Sequence, residues 1–259
     1  MNKLQLYYRK LLKRVPQPDK WVFIVGCYNS GTTLLHDVIS KHPLVGSMEF
    51  EGQYMTDQLL IKHNGMERLW AIHPEVFYLD DKSPKTPDAK KIKQHWGVHL
   101  NFPKRPVLVE KSPTNAARML WLQKEFPNAH FIAIVRNGYA VAEGIRRKVK
   151  HDIALCAKQW AVSNEIMLRD FEKLNHKLLV KYEDFTAAPL EQTKRITDFL
   201  NISPLSEQVL NAEFKIRGDQ SAIRNMNERS FAALSDDDRS AIRNEGAALL
   251  DRFHYTENA

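Results

Sequence analysis

The sequence lacks the features that mark secreted, membrane-spanning and metal-binding proteins. Its 259 residues include only two cysteines, Cys27 and Cys156, which are too few for a disulfide framework. No segment approaches the roughly 18 apolar residues of a membrane span, and the ten histidines show no metal-ligand spacing. Internal repeats and low-complexity tracts are also missing. We therefore expect a single domain over residues 1–259 in a reducing compartment, the cytoplasm, with no transmembrane segment and no metal.

The charge of the chain favours an anionic ligand. Lys and Arg outnumber Asp and Glu by 38 to 31, which gives a net charge of +7. Zinc-finger spacing, an RNP-like aromatic motif and a helix-turn-helix pattern are all missing, so nucleic acid is not an expected partner. In the basic N-terminal stretch Leu4–Arg14, apolar residues recur at helical spacing. That spacing predicts a helix packed on its own domain, with a membrane-surface helix as the alternative.

Short apolar runs alternate with segments of helical character along most of the chain. Strands that alternate with helices of this length form parallel βαβ units. The sequence therefore predicts an α/β fold, a three-layer P-loop-like domain with a central parallel sheet flanked by helices. The expected strands are Trp21–Val25, Leu44–Met48, Val107–Val109, His130–Val135 and Lys177–Tyr182. The expected helices are Thr32–Lys41, Asn115–Phe126, Tyr139–Val149, Ile153–Leu174, Leu190–Leu200 and Ser235–Phe253, the last with Ser235 as its N-cap.

A polar and basic stretch, residues 79–102, interrupts this alternation. We interpret it as a loop-rich insertion over the strand ends, on the acceptor side of a site, with a solvated connector as the alternative. Three aromatic residues in and near this stretch are compatible with a sugar or anionic acceptor, and equally with core packing. They are Trp70, Tyr78 and Trp96.

A glycine loop, Gly26–Thr33, follows the first expected strand and leads into a helix. Its glycine spacing is that of a nucleoside-triphosphate P-loop, but Thr32 occupies the position of the lysine that reaches the β- and γ-phosphates. Without that lysine the loop can still bind a phosphate through backbone N–H groups and the helix dipole. The loop therefore predicts a nucleotide that is not a triphosphate.

Three further strand ends carry side chains that suit the same kind of ligand, because ligands of parallel sheets bind outside the carboxyl ends of the strands. Lys111 could neutralise charge on a transferring group, or else pair with Glu110 at the surface. Arg136 suits bidentate phosphate contact. Tyr182 could contact a base or pack against the sheet edge. Two phosphate sites on one nucleotide imply a phosphate on the ribose as well as a 5′ chain.

Two carboxylates follow the second expected strand and could accept a proton from a substrate hydroxyl. Glu49 and Glu51 share one face if the strand persists, because side chains alternate along a strand. The residues alone do not decide between them.

Taken in order, these motifs resemble those of the sulfotransferases that use 3′-phosphoadenosine 5′-phosphosulfate (PAPS), in particular the tyrosyl-protein and heparan-type branch. The resemblance runs from Phe23 to about Tyr255. The segments that carry it are Gly26–Leu35 with His42-Pro43, Glu110–Pro113, Phe126–Glu143, Lys181–Phe185 with Pro189, and Asn225–Ser230.

The resemblance implies sulfuryl transfer from PAPS to a hydroxyl or amine, with a carbohydrate among the candidate acceptors and 3′,5′-bisphosphoadenosine (PAP) as the product. It implies that Lys111 stabilises charge on the sulfuryl group and that Glu49 or Glu51 is the general base. It also implies that Arg136 holds the 3′-phosphate and that Tyr182 contacts adenine. The residues implied around the 5′-phosphosulfate are Asn29, Ser30, Gly31, Thr32 and Thr33.

The chain departs from the family pattern at two positions. Asn29 stands where the family usually has Lys or Arg, so Lys111 is expected to carry more of the charge on the leaving group. Gly144 stands where the family usually has Ser. The hydrogen bond of that serine to the 3′-phosphate is then either lost or supplied by a neighbour. The candidate neighbours are Arg146, Arg147, Ser221 and Arg224.

Two other functions remain open from the sequence. A P-loop kinase is disfavoured by Thr32 and by the lack of an evident magnesium-binding aspartate at a strand end. A non-catalytic PAP- or nucleotide-binding module is compatible with the departures at Asn29 and Gly144.

Overall fold

The computed structural model describes residues 14–66, 68–216 and 219–258. The helix predicted over Leu4–Arg14 therefore lies outside the described residues, Arg14 excepted. The strands are β1 Lys20–Val25, β2 Val45–Ser47, β3 Val107–Lys111, β4 Ala129–Val135, β5 Lys177–Lys181, β6 Phe214–Ile216 and β7 Asp219–Ser221. The first five form one sheet in the order β2-β3-β1-β4-β5, and all its pairs are parallel. β6 and β7 form a separate antiparallel pair.

The described helices are α1 Thr32–Ile39, α2 Pro74–Phe77, α3 Ala89–His99, α4 Met119–Glu125, α5 Gly138–Val149, α6 Ile153–Phe171, α7 Tyr182–Ala187, α8 Pro189–Leu200, α9 Glu207–Leu210, α10 Asn227–Phe231 and α11 Asp236–Phe253. The helices α1 to α6 lie between strands of the parallel sheet, as the alternating pattern predicts, and α7 to α11 follow β5. Three 3-10 turns, Gly52–Met55, Trp70–Ile72 and Pro113–Ala117, complete the described elements. Among the described residues, no helix combines the length and apolar character needed to cross a bilayer.

The sheet separates two hydrophobic cores, which makes the domain three-layered. Alternate side chains of β1 enter opposite cores, because successive residues of a strand point to opposite faces. Val22 and Ile24 pack with buried residues of α1 and α8. Trp21, Phe23 and Val25 pack with the larger cluster on the other face, formed with α3 to α6 and α11. The predicted α/β fold with a central parallel sheet is confirmed.

The prediction of a loop-rich insertion over residues 79–102 is wrong for its second half, which is helix α3. Asp88 caps this helix by accepting a hydrogen bond from the Lys91 N–H at 2.9 Å. Ile92 and Trp96, four residues apart on one face, are fully buried. The basic composition of the segment hid this apolar face. Trp96 and Trp70 are core residues and not surface contacts for a sugar.

The predicted C-terminal helix is confirmed, and it supports one strand end of the sheet. Ser235 and Asp238 form a capping box at its N-terminus. A Cβ at Gly246 would lie 2.5 Å from the Trp160 ring, so a glycine is required where α11 crosses α6. The indole Nε1 of Trp160 donates a hydrogen bond to the carbonyl of Arg136 at 3.1 Å. This packing fixes the backbone at the end of β4.

Candidate active site

The loop between β1 and α1 has the conformation of a phosphate-binding turn. Asn29 and Gly31 both have positive φ angles, 66° and 98°. A Cβ at Gly26 would lie 2.5 Å from the Ile134 carbonyl oxygen, and one at Gly31 would lie 2.6 Å from the Tyr182 ring. Both glycines are therefore required by close packing against β4 and α7. The loop delivers the N-terminus of α1, which begins at Thr32, to the carboxyl edge of the sheet.

Ser30 has the character of a ligand contact. Its side chain is fully buried, and its Oγ has no hydrogen-bond partner within the described part of the chain. A buried hydroxyl without a partner costs about 1–3 kcal/mol. A phosphate oxygen in the loop would accept that hydrogen bond, so the loop fits an anionic group. Thr32, in the position of the P-loop lysine, is itself buried.

Lys111 connects this loop to a carboxylate. It ends β3, beside β1, with which Lys111 is in register at Ile24. Its Nζ donates to Thr33 Oγ1 at 3.2 Å and to Glu51 Oε1 at 3.0 Å. The side chains of Lys111 and Glu51 are 10% and 18% exposed, so solvent reaches both while burial limits screening.

The structure separates the two candidate bases. β2 ends at Ser47, and Glu51 begins the 3-10 turn Gly52–Met55, so the strand alternation that would place both carboxylates on one face does not persist. Glu51 reaches Lys111, whereas Glu49 is exposed. Proximity to Lys111 therefore favours Glu51. The assignment of either residue as the general base stays a prediction.

The alternative pairing of Lys111 with Glu110 at the surface is wrong, because Glu110 points into the opposite side of β3. Its Oε1 accepts from the Gly52 N–H at 2.9 Å and also from the Ser112 hydroxyl. Its Oε2 accepts from Asn115 Nδ2 at 2.6 Å. Burial raises the pKa of Glu110 to about 7. Glu110 thus holds the backbone that follows Glu51.

Arg136 lies at the end of β4 and contacts the phosphate loop from the other side. Its guanidinium donates to the Asn29 carbonyl and to Asn227 Oδ1, each at 2.8 Å, and lies 4.1 Å from the centre of the Tyr182 ring. Burial lowers the pKa of Arg136, an electrostatic cost that an anionic ligand would offset. Asn227 is held in turn by Glu183, whose Oε1 accepts from Asn227 Nδ2 at 2.9 Å.

Tyr182 packs against both the loop and Arg136. Only 3% of the residue is exposed. Its hydroxyl donates to the Arg224 carbonyl and accepts from the Met226 N–H, each at 3.1 Å. Tyr182 therefore packs against the glycine loop at Gly31 and supports it. Its contact with adenine stays a prediction. The side chain of Arg224 is exposed.

The remaining candidates for the second phosphate differ in what they already bind. Arg146 forms an ion pair with Asp238 at 2.7 Å, at the start of α11. Arg147 lies 3.5 Å from Glu143 and is more exposed than Arg146. The side chain of Ser221 lies outside the described residues. Arg146 is thus engaged in holding α11, and Arg147 is the more accessible of these two arginines.

The two departures from the family pattern meet in space. A Cβ at Gly144 would lie 3.4 Å from both Cβ and Cγ of Asn29. Asn29 is buried, with 8% of its surface exposed. The Asn29 side chain therefore lies against Gly144, where a larger residue at position 144 would contact it.

Several residues around the site were missed by sequence reasoning because their signal is long-range. Gln53, Glu110, Glu183 and Asn227 are polar residues with hydrogen bonds to distant segments of the chain. Glu110, Glu183 and Asn227 lie in the recognised motifs Glu110–Pro113, Lys181–Phe185 and Asn225–Ser230, but the motifs gave no role to their side chains, and Gln53 lies in none of them. Elsewhere in the described residues, no group of three or more His, Cys, Asp or Glu side chains is arranged to hold a metal.

Comparison with known proteins identifies the family. Residues 22–207 match the family described as "Sulfotransferase family". The chain is 27% identical over 208 residues to Protein-tyrosine sulfotransferase A of Caenorhabditis elegans, which covers 74% of this chain and 52% of that protein. It is 28% identical over 210 residues to Protein-tyrosine sulfotransferase 1 of Danio rerio, which covers 74% of this chain and 56% of that protein. The chain thus spans about half the length of the curated relatives it matches.

The fold is also similar to that of solved sulfotransferase structures. The sulfotransferase domain of the Synechococcus PCC 7002 olefin synthase superposes with a TM-score of 0.58 and 22% identity, over 93% of this chain and 96% of that domain. The described chain shares with this domain a parallel sheet, on which a glycine loop without the P-loop lysine follows β1 and Lys111 and Arg136 lie at the ends of β3 and β4, on either side of β1. The chain belongs to the sulfotransferase family. The predicted family resemblance is confirmed, and the comparisons give the kinase alternative no support.

Proposed function

We propose that the chain transfers a sulfuryl group from PAPS to an acceptor hydroxyl and releases PAP. The observation that carries this proposal is the position of Lys111 Nζ, within 3.2 Å of Thr33 in the phosphate loop and 3.0 Å of Glu51. One cation is thereby able to contact both a group held in the loop and the base that would activate its acceptor.

Sulfuryl transfer needs few groups beyond a base and positive charge. Glu51 accepts the proton of the acceptor hydroxyl as its oxygen attacks sulfur, and the S–O bond to the 5′-phosphate of PAP breaks. Lys111 stabilises the negative charge that develops on the sulfuryl group and on the leaving phosphate. The rest of the rate enhancement comes from holding donor and acceptor in contact.

The donor is bound at two points. The loop residues Asn29 to Thr33, with the unpartnered hydroxyl of Ser30, hold the 5′-phosphosulfate. Arg136 holds the 3′-phosphate, for which its position beside Asn29 and Tyr182 is suited. The exposed Arg224 is a second candidate contact on this side.

The cavity proposed for the acceptor has a volume of about 880 Å³ and is lined from Tyr54 onward, three residues after Glu51, and not by Glu51 itself. This cavity lies between the turn Gly52–Met55, which begins directly after Glu51, and helix α3. Its walls mix an aromatic ring with cations and carboxylates. They include Tyr54, Thr56, Asp57, Lys91, His95 and Val98.

The proposed acceptor group is the phenol of a tyrosine. This choice rests on the names of the relatives, which are protein-tyrosine sulfotransferases. A carbohydrate acceptor gains no support from them, and two of the aromatic residues that suggested it, Trp70 and Trp96, are buried. The cytoplasmic location expected from the two cysteines stays a prediction.

The proposal is tested by incubating the protein with PAPS and a panel of tyrosine peptides, simple phenols and oligosaccharides. Mass spectrometry of the acceptors and assay of released PAP are the readouts. We expect a sulfated tyrosine product whose yield is unchanged by a magnesium chelator. Binding of PAP with no sulfated acceptor in the panel would favour a non-catalytic module. A magnesium-dependent product formed from ATP would favour a kinase.

A further inference from the structure

Gln53 lies next to the proposed base and is fully buried. Its Nε2 donates to Glu51 Oε2 at 2.6 Å and lies 3.3 Å from the Tyr28 hydroxyl. Its Oε1 accepts a hydrogen bond from the Thr114 hydroxyl. The two oxygens of Glu51 therefore have different donors, Lys111 on Oε1 and Gln53 on Oε2.

The surrounding donors fix which way the amide of Gln53 points. Arg118 Nη1 donates to Thr114 Oγ1 at 3.2 Å, and a guanidinium has no acceptor. The Thr114 hydroxyl therefore accepts from Arg118 and gives its own proton to Gln53 Oε1. That leaves the NH₂ group of Gln53 facing Glu51. The chain from Arg118 through Thr114 to Gln53 thus presents a donor, and not an acceptor, to the carboxylate.

The side chain of Gln53 is not needed to hold the turn in which it lies. The Gly52 N–H is bound by Glu110, and the Gly52 carbonyl accepts from the Trp96 indole at 2.9 Å. The backbone N–H of Gln53 donates to Ser112 Oγ at 3.1 Å. These three bonds hold the backbone independently of the Gln53 side chain, whose own bonds link Glu51 to Tyr28 and Thr114.

We propose that Gln53 is a positioning residue that orients the Glu51 carboxylate for proton transfer. The inference rests on the proposed role of Glu51 as the general base. A glutamate that is free to rotate must be ordered before it reacts, and a fixed donor on one oxygen removes that cost in advance. The amide is neutral, so it orients the base without placing a second full positive charge beside it. It also remains on Oε2 when Lys111 turns from Oε1 to the sulfuryl group.

The first test is Gln53→Leu, which removes the amide with little change in size. We expect kcat to fall by roughly 10- to 100-fold, the usual effect of losing a group that orients a reacting residue. The KM for PAPS and the Kd for PAP, measured by calorimetry, should stay at the wild-type values. The matched control is Gln159→Leu, because Gln159 is also fully buried and its Oε1 accepts from the Ala71 N–H at 2.8 Å. That control should lower thermal stability and leave kcat unchanged.

The second variant, Gln53→Glu, is nearly isosteric. It is tested by the pH–rate profile, which would not change if the role of Gln53 were only structural. It places a second carboxylate against Glu51, and two such groups share a proton. The acid limb of the pH–rate profile should therefore move to higher pH, and the limb of Gln159→Leu should not move. This variant also serves if Gln53→Leu does not fold.

The outcomes separate the two proposals. If the wild-type protein sulfates no acceptor, the proposed function fails and this inference fails with it. If the wild type is active and Gln53→Leu keeps its kcat, or Gln53→Glu keeps the wild-type acid limb, only the role of Gln53 is rejected. Equal losses of kcat in Gln53→Leu and Gln159→Leu would likewise reject it, because the effect would then be one of stability.

Discussion

The ammonium of Lys111 forms an ion pair with the carboxylate of Glu51 at 3.0 Å, although 60 residues separate them in sequence. The two charges cancel each other at the place where a sulfated nucleotide and an acceptor hydroxyl are proposed to meet. We expect an anion bound in the loop to compete with Glu51 for the lysine. If Glu51 is the base, binding of the donor would then free one of its oxygens for the acceptor.

Replacing Lys111 with Ala should slow turnover far more than it weakens binding of PAP. The ammonium is proposed to act on charge that develops during transfer, and removal of such a group costs roughly 10²- to 10³-fold in kcat. Steady-state kinetics and calorimetry with PAP measure the two effects. Lys177→Ala is the matched control, because Lys177 begins β5 at the opposite end of the sheet. Unchanged turnover in Lys111→Ala would remove this residue from the catalytic set.

Replacing Glu51 with Gln should nearly abolish turnover, and replacing Glu49 with Gln should not. General bases typically contribute roughly 10²- to 10⁴-fold, and only Glu51 lies within reach of Lys111. Both substitutions remove one negative charge from the same short segment, so each controls for the other. A larger loss of kcat in Glu49→Gln than in Glu51→Gln would reverse the assignment.

Replacing Arg136 with Ala should weaken PAP binding by roughly 10- to 100-fold, because a hydrogen bond to a charged group is worth about 1.5–3 kcal/mol. Calorimetry with PAP gives the affinity. Arg146→Ala provides the comparison, since Arg146 pairs with Asp238 at 2.7 Å and holds α11. That variant should lower the melting temperature and keep the affinity. Loss of affinity in Arg146→Ala alone would move the 3′-phosphate site to α5.

Glu110 should make the protein less stable as the pH rises from about 5 to 7. Burial raises the pKa of Glu110 from its ordinary value of 4.5 to about 7, so in this window the native state binds a proton that the unfolded state has lost. The free energy of unfolding therefore falls with pH, by at most about 3 kcal/mol across the window. Glu110→Gln should flatten this part of the profile.

Thermal melts of wild type and Glu110→Gln at several pH values measure the difference. The glutamine side chain keeps an oxygen that accepts from the Gly52 N–H. Its NH₂ group takes the place of the oxygen that accepts from Asn115 Nδ2. A wild-type stability that rises between pH 5 and 7, with the same slope in the variant, would show that Glu110 is not the group that titrates.

The sequence predicts the sheet well because each strand is a short apolar run with a clear end. The same strand ends allow Lys111 and Arg136 to be predicted as site residues, since the carboxyl ends of parallel strands lie at one edge of the sheet. The choice between Glu49 and Glu51 could not be made, because it depends on where β2 stops. The helical nature of α3 was missed because Ile92 and Trp96 are two apolar residues among many lysines.

The polar residues that support the site lay beyond sequence reasoning for a different reason. Gln53 contacts Thr114, and Arg136 contacts Asn227, across 61 and 91 residues. Such contacts depend on how the layers pack together, and no local pattern of hydrophobicity or spacing encodes them. The sequence therefore gives no role to the side chain of Gln53, and the resemblance that includes Asn227 does not show that it contacts Arg136.

The most direct test of the account compares the binding of PAP and ATP to the wild-type protein by calorimetry. We propose that the loop at Ser30 and the guanidinium of Arg136 bind a nucleotide at its 5′ and 3′ phosphates, without the lysine that a triphosphate chain requires. This two-point binding predicts that PAP binds tightly, that ATP binds far more weakly, and that Arg136→Ala removes most of this preference. Tight binding of ATP with no binding of PAP would contradict it.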